Sequence, residues 1–126
     1  MQRELALQVF EALSSGVRLD VFRLLVRAGK EGRVAGEISD ALDIPPTNLS
    51  FHLKGLTHCG LLSVEQEGRY LRYRANIPLM LDTIAYLTEN CCADSPDECA
   101  ELRRGASSAA PFLPPLDPAA QKCRIS

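Results

Sequence analysis

Residues 34–60 of the chain read VAGEISDALDIPPTNLSFHLKGLTHCG, and they contain the strongest indication of the fold. Apolar side chains recur at helical spacing on both sides of the dipeptide Pro45–Pro46, at Ile38, Ala41 and Leu42 before it and at Leu49, Leu53 and Leu56 after it. Proline fits the first turn of a helix, because its missing N–H would be unpaired there in any case. The stretch therefore predicts two helices, residues 34–42 and 46–58, joined by a tight turn.

The segment after Gly60 changes from helical to alternating periodicity. Residues 62–66 and 69–74 have the pattern of two β-strands, and Glu67–Gly68 supplies the tight turn of a hairpin. Three more helices are predicted, over residues 4–13, 17–27 and 77–90. The expected fold is mainly α with a β-hairpin, a winged helix-turn-helix of five helices and two strands.

The first and last predicted helices have apolar arcs too broad for a helix that packs on one side only. In the first helix, Leu7 and Phe10 widen the apolar stripe, and much of the surface of the last helix is apolar. In so small a chain such helices need a partner surface. We therefore expect a homodimer that forms through these two helices.

A helix, a tight turn, a second helix and a basic hairpin, in this order, are typical of proteins that place the second helix in the major groove of DNA. Asparagine can pair with adenine, serine and threonine can donate or accept, and an apolar side chain can meet a thymine methyl group. Basic side chains there and on the hairpin suit phosphates or the minor groove. The predicted DNA-contacting residues are Thr47, Asn48, Ser50, Phe51, His52, Lys54, Arg69, Arg72 and Arg74. The alternative is that these polar residues form only the solvated face of an amphipathic helix.

The net charge of −2 is low for a DNA-binding protein, but its distribution matters more than its sum. Residues 45–75 carry four basic and two acidic side chains, whereas residues 76–102 carry six acidic and no basic ones. We expect residues 1–92 to form a winged helix-turn-helix domain for DNA binding and dimerisation, and residues 93–126 to form a cysteine-containing turn and a flexible C-terminal tail. No signal peptide or membrane segment is predicted, so the expected location is the cytoplasm.

Four segments together resemble the ArsR/SmtB family of winged-helix metalloregulators. They read SGVRLDVFRLL over residues 15–25, LSFHLKGL over 49–56, GLL over 60–62 and GRYLRY over 68–73. The resemblance covers about residues 5–92. It implies a symmetric dimer on an inverted-repeat operator, repression of the protein's own operon, and loss of DNA affinity when an inducer ion binds.

Family members hold the inducer at different places, and two of these patterns are missing. The founding arsenic sensors carry Cys-Val-Cys at the start of the third helix, where this chain has Val34–Gly36. The zinc sensors use carboxylates and histidines of the last helix, where Asp82 stands without a histidine. The chain is similar instead to arsenite repressors whose adjacent cysteine pair and third cysteine lie beyond the last helix. This similarity implies a three-thiolate site for arsenite or antimonite at Cys91, Cys92 and Cys99.

The remaining cysteines, Cys59 and Cys123, are not expected to form a disulfide framework, and several other functions are possible. An odd count of five cysteines, without an export signal, argues against a disulfide framework. Cys59 is expected to be a small buried residue. Cys123 could join the thiolate site or have no role, and no role is the expectation. A thiol-redox-responsive repressor, a cadmium or lead sensor, a structural zinc site and incidental cysteines stay open as alternatives. An enzyme is not expected, since no cysteine is followed six positions later by the arginine of a phosphatase-like loop.

Overall fold

The computed structural model describes residues 1–90, 93–94 and 98–104. Over these residues the chain forms six α-helices and three β-strands, in the order α1 (Arg3–Leu13), α2 (Gly16–Ala28), β1 (Arg33–Val34), α3 (Ala35–Leu42), α4 (Pro46–His58), β2 (Leu62–Glu67), β3 (Tyr70–Ala75), α5 (Ile77–Thr88) and α6 (Cys99–Arg104). A 3₁₀ turn, Gly29–Glu31, follows α2. The chain divides into two compact units, Met1–Met80 and Leu81–Ser126, and the boundary between them falls within α5.

The helix-turn-helix pair is α3 and α4. Asp43 ends α3 in the left-handed conformation, with φ of 54°, which aspartate tolerates better than most residues. Pro46 occupies the first turn of α4, as the sequence predicts. Upstream, Ser15 caps α2 by accepting a hydrogen bond from the Arg18 backbone N–H. These local signals explain why the predicted helices form within about two residues of their expected bounds.

The hairpin of β2 and β3 is the wing, and it is part of a three-stranded antiparallel sheet in the order β1-β3-β2. Its register runs from Leu62 opposite Ala75 to Glu67 opposite Tyr70. Gly68 alone in the two-residue turn has positive φ, the pattern of a type II′ turn, which favours glycine at this position. Strand β1 is only two residues long and was not predicted from the sequence.

The hydrophobic core of the first unit fixes α4 against α1, α2 and α3. Leu49, Leu53 and Leu56 of α4 are at most 2% exposed. They share one cluster with buried residues of α1, α2, α3 and β2, including Val9, Leu25, Ile38 and Leu62. Burial of each such side chain is worth about 1.5–3 kcal/mol. The orientation of the outer face of α4 is therefore set by the core.

The C-terminal part departs from the prediction in one helix. Asn76 caps α5, because its Oδ1 accepts from the Leu79 backbone N–H and its amide group donates to the Gly60 carbonyl. In the second unit, α6 forms within a segment that was expected to lack helices, so Arg103 and Arg104 are helical where a flexible tail was predicted. Among the described residues, no helix is long and apolar enough to cross a membrane.

Candidate nucleic-acid interface

The outer face of α4 carries most of the predicted base-contacting residues. The core takes up the opposite side of the helix, so the residues between its leucines point to solvent. Phe51 is 70% exposed, an unusual position for a large aromatic ring. The exposed members of the predicted set on this helix are Thr47, Asn48, Ser50, Phe51 and Lys54. This face offers hydrogen-bonding groups, one apolar ring and one positive charge on a rigid element.

His52 lies to one side of this face, in contact with α2. Its Nδ1 is 3.5 Å from Nη1 of Arg18, and its ring forms a T-shaped pair with the ring of Phe51, with centroids 5.5 Å apart. Arg18 also donates from Nε to the carbonyl of Ala12 at 2.7 Å, at the C-terminal end of α1. A single arginine thus joins α1, α2 and α4. The role of His52 as a base contact stays a prediction.

The three arginines of the predicted wing have different surroundings. Arg72 donates from Nε to the Glu67 carboxylate at 2.9 and 3.0 Å, and Arg74 donates from Nη1 to Glu65 at 2.7 Å. The hydrogen bond that Arg72 donates to Glu67 raises the pKa of Arg72 above its ordinary value. Arg69 lies in the exposed turn between the strands, and no acidic side chain in the described part of the chain pairs with it.

Both paired arginines also reach across to the 3₁₀ turn. Nη1 of Arg72 donates to the Glu31 carbonyl at 2.9 Å, and Nε of Arg74 donates to the Lys30 carbonyl at 2.7 Å. Glu65 and Glu67 were not predicted as partners of these arginines. The signal was present, however, because glutamates at alternate positions of one strand and arginines at alternate positions of the next must share a face of the hairpin.

The predicted inducer site lies largely outside the described residues. Cys91, Cys92 and Cys123 are outside them, and Cys99 is the first residue of α6. Cys59 is confirmed as a buried residue, and its thiol donates to the Leu56 carbonyl. Within the described ranges, no group of three histidine, cysteine or acidic residues is placed to hold a metal ion.

Known proteins share this fold and this domain. Residues 13–65 match the family model described as a helix-turn-helix domain. A probable mercury resistance operon repressor of Streptomyces lividans is 29% identical over 75 residues, which cover 60% of this chain and 58% of that protein. The chain spans about three fifths of the length of the curated relatives it matches.

Two solved structures extend the similarity. An ArsR-like transcriptional regulator from Rhodococcus sp. RHA1 is 28% identical with a TM-score of 0.62, covering 83% of this chain and 95% of that one. A homodimeric winged helix-turn-helix DNA-binding domain from Mycobacterium bovis, a possible ArsR-family regulator, is 25% identical with a TM-score of 0.54, covering 65% and 79%. Residues 13–65 therefore form a helix-turn-helix domain, in a winged-helix fold that the chain shares with ArsR-family regulators.

Proposed function

We propose that the chain is a transcriptional repressor that binds operator DNA as a homodimer and releases it when arsenite or antimonite binds to C-terminal thiolates. The observation that carries the DNA-binding part is the outer face of α4. Phe51 is 70% exposed there, beside the hydrogen-bonding side chains of Asn48 and Ser50. Folding of the chain alone gives no reason for an exposed ring at this place, whereas contact with a thymine methyl group in the major groove does.

The dimer is supported by apolar side chains that each unit leaves uncovered. In α1, Leu7 is 55% and Phe10 is 38% exposed. In α5, Leu81 and Leu87 are exposed as well. The Mycobacterium bovis neighbour is a homodimer, which favours the same assembly here. Two copies of α4 would then reach successive major grooves of an inverted repeat, about 34 Å apart.

The proposed inducer follows from the chemistry of the cysteine thiolates. Soft ions prefer thiolate ligands, and three cysteines at positions 91, 92 and 99 offer the three sulfur atoms that arsenite takes. The similarity to a probable mercury resistance repressor favours a soft ion as the inducer class. Binding would act through a difference in affinity between two states of the dimer, one matched to the half-site spacing and one not.

The experiment starts from the preformed complex with labelled DNA from upstream of the protein's own gene. Arsenite, antimonite, cadmium, lead and peroxide are added in turn, and release is followed by fluorescence anisotropy. We expect release by arsenite or antimonite, its loss in Cys92→Ser, and its retention in the matched control Cys123→Ser. Release by peroxide alone would favour the thiol-redox alternative, and release by cadmium or lead alone would favour another soft-metal sensor. An arsenite response that survives in Cys92→Ser would contradict the proposed site.

A further inference from the structure

The arginines of the wing divide into two kinds. We propose that Arg69 is the residue through which the wing contacts a DNA phosphate, and that Arg72 and Arg74 are positioning residues that hold the Gly29–Glu31 turn against β3. This inference rests on the proposed DNA-binding function. It differs from the expectation drawn from the sequence, which treats all three arginines as DNA contacts.

The hydrogen bonds of Arg72 and Arg74 give both side chains the same arrangement. Each guanidinium group donates on one side to a carboxylate of β2 and on the other side to a backbone carbonyl of the turn. The charges of the two arginines are therefore balanced by Glu67 and Glu65 within the wing itself. A phosphate that approached either arginine would compete with a carboxylate that already shares its charge, so it would gain less than at an unpaired arginine.

The Gly29–Glu31 turn lies close to β3, and the hydrogen bonds from Arg72 and Arg74 to its carbonyl groups form a clamp that holds it there. A Cβ atom on Gly32 would collide with the Tyr73 carbonyl oxygen, so the backbone after the turn lies directly against the strand. The pairing of β1 with β3 extends over only Arg33 and Val34. Two residues of strand contribute little stability on their own. The arginine hydrogen bonds supply the additional contacts that keep the turn and β1 in place.

Arg69 has the opposite surroundings. It is exposed in the turn at the end of the hairpin, next to Gly68, whose positive φ fixes the turn. No carboxylate of the described residues neutralises its charge. Charges without a local partner are the ones that release counterions from DNA when they meet a phosphate.

The test compares lysine and glutamine at positions 69 and 72, with two measurements on the full-length protein. The first is the dependence of the DNA dissociation constant on salt concentration. The second is hydrogen exchange at the amides of Gly32, Arg33 and Val34. Lysine keeps the positive charge but lacks the planar fork that lets arginine donate in two fixed directions.

For Arg69→Gln we expect a salt slope lower by about 0.9 per phosphate contact, or about 1.8 for a dimer, with unchanged hydrogen exchange. Arg69→Lys should keep the wild-type slope. For Arg72→Lys and Arg72→Gln alike, we expect exchange at residues 32–34 to be faster by about tenfold or more, since both remove the clamp. Arg72→Lys should bind DNA as weakly as Arg72→Gln.

Two results would overturn the inference. In the first, Arg72→Lys keeps the wild-type DNA affinity and the wild-type hydrogen exchange, whereas Arg72→Gln binds DNA weakly. The positive charge alone would then explain the role of Arg72. The other is an unchanged salt slope in Arg69→Gln. If the wild-type protein binds no DNA, the proposed function fails instead, while the exchange measurement still tests the clamp.

Discussion

Replacing Phe51 or Leu53 of α4 by alanine should have opposite effects on the stability of the fold and on DNA binding. Phe51 is 70% exposed, whereas Leu53 is 2% exposed and belongs to the core. Leu53→Ala should lower the free energy of unfolding by about 2–5 kcal/mol, the range for leucine truncation in a packed core. Phe51→Ala should change the free energy of unfolding by no more than about 0.5 kcal/mol, because most of the ring is exposed to solvent.

The effect of Phe51→Ala on DNA binding follows from the exposed ring. An aromatic residue offers about 150–250 Å² for burial, so roughly 140 Å² of Phe51 is open to solvent. If DNA covers half of this area, at about 25 cal/mol per Å², the ring contributes about 1.8 kcal/mol per half-site. This corresponds to roughly twentyfold in Kd for one half-site and several hundredfold for two.

Both variants are measured by urea unfolding and by anisotropy on operator DNA and on a shuffled duplex. We expect Phe51→Ala to keep the wild-type unfolding midpoint and to lose affinity for the operator far more than for the shuffled duplex. Wild-type operator affinity in Phe51→Ala would refute the proposed contact. A loss of stability as large as that of Leu53→Ala would refute the placement of the ring outside the core.

Three further substitutions test other parts of the structure. Gly32→Ala should lower the free energy of unfolding, measured in urea, by about 1–3 kcal/mol, because the new Cβ would collide with the Tyr73 carbonyl and the backbone there has positive φ. The control Gly36→Ala has open space around it and should be neutral or stabilising. Arg18→Gln should lower the free energy of unfolding by about 1–2 kcal/mol and weaken DNA binding, since it removes the hydrogen bond to Ala12 and the contact with His52. The control Arg23→Gln, at an exposed position, should change the free energy of unfolding by no more than about 0.5 kcal/mol. Burial raises the pKa of Tyr73 above its usual 10.0, so the unfolded chain loses this proton first. The free energy of unfolding should therefore fall as the pH rises past that value, and the fall should be shallower in Tyr73→Phe. Equal slopes in the wild-type protein and in Tyr73→Phe would contradict this assignment.

The helices were predictable because their signals are local. The spacing of Leu49, Leu53 and Leu56, together with Pro46, determines both the bounds of α4 and the side that faces outward. The placement of His52 was not predictable in this way. It depends on Arg18, which is 34 positions away in the sequence and meets His52 only after α2 and α4 pack together.

The pairing of charges in the wing could not be predicted from the sequence either. Its basic character is visible in the sequence, but whether an arginine is paired depends on the diagonal register that brings Glu65 to Arg74 and Glu67 to Arg72. β1 has no periodicity to detect in two residues, and it forms only because β3 offers an edge. α6 begins at Cys99, after a segment whose proline and acidic residues are typical of a turn. The thiolate site at Cys91, Cys92 and Cys99 stays a prediction.

The most direct test of the central claim is the affinity of the purified protein for DNA. Fluorescence anisotropy is measured on a duplex from upstream of its own gene and on a shuffled duplex of the same composition, at physiological salt. We expect a Kd between about 10⁻⁸ and 10⁻¹¹ M for the upstream duplex, at least about 10³-fold tighter than for the shuffled one. Equal affinity for the two duplexes, or no binding to either, would contradict it.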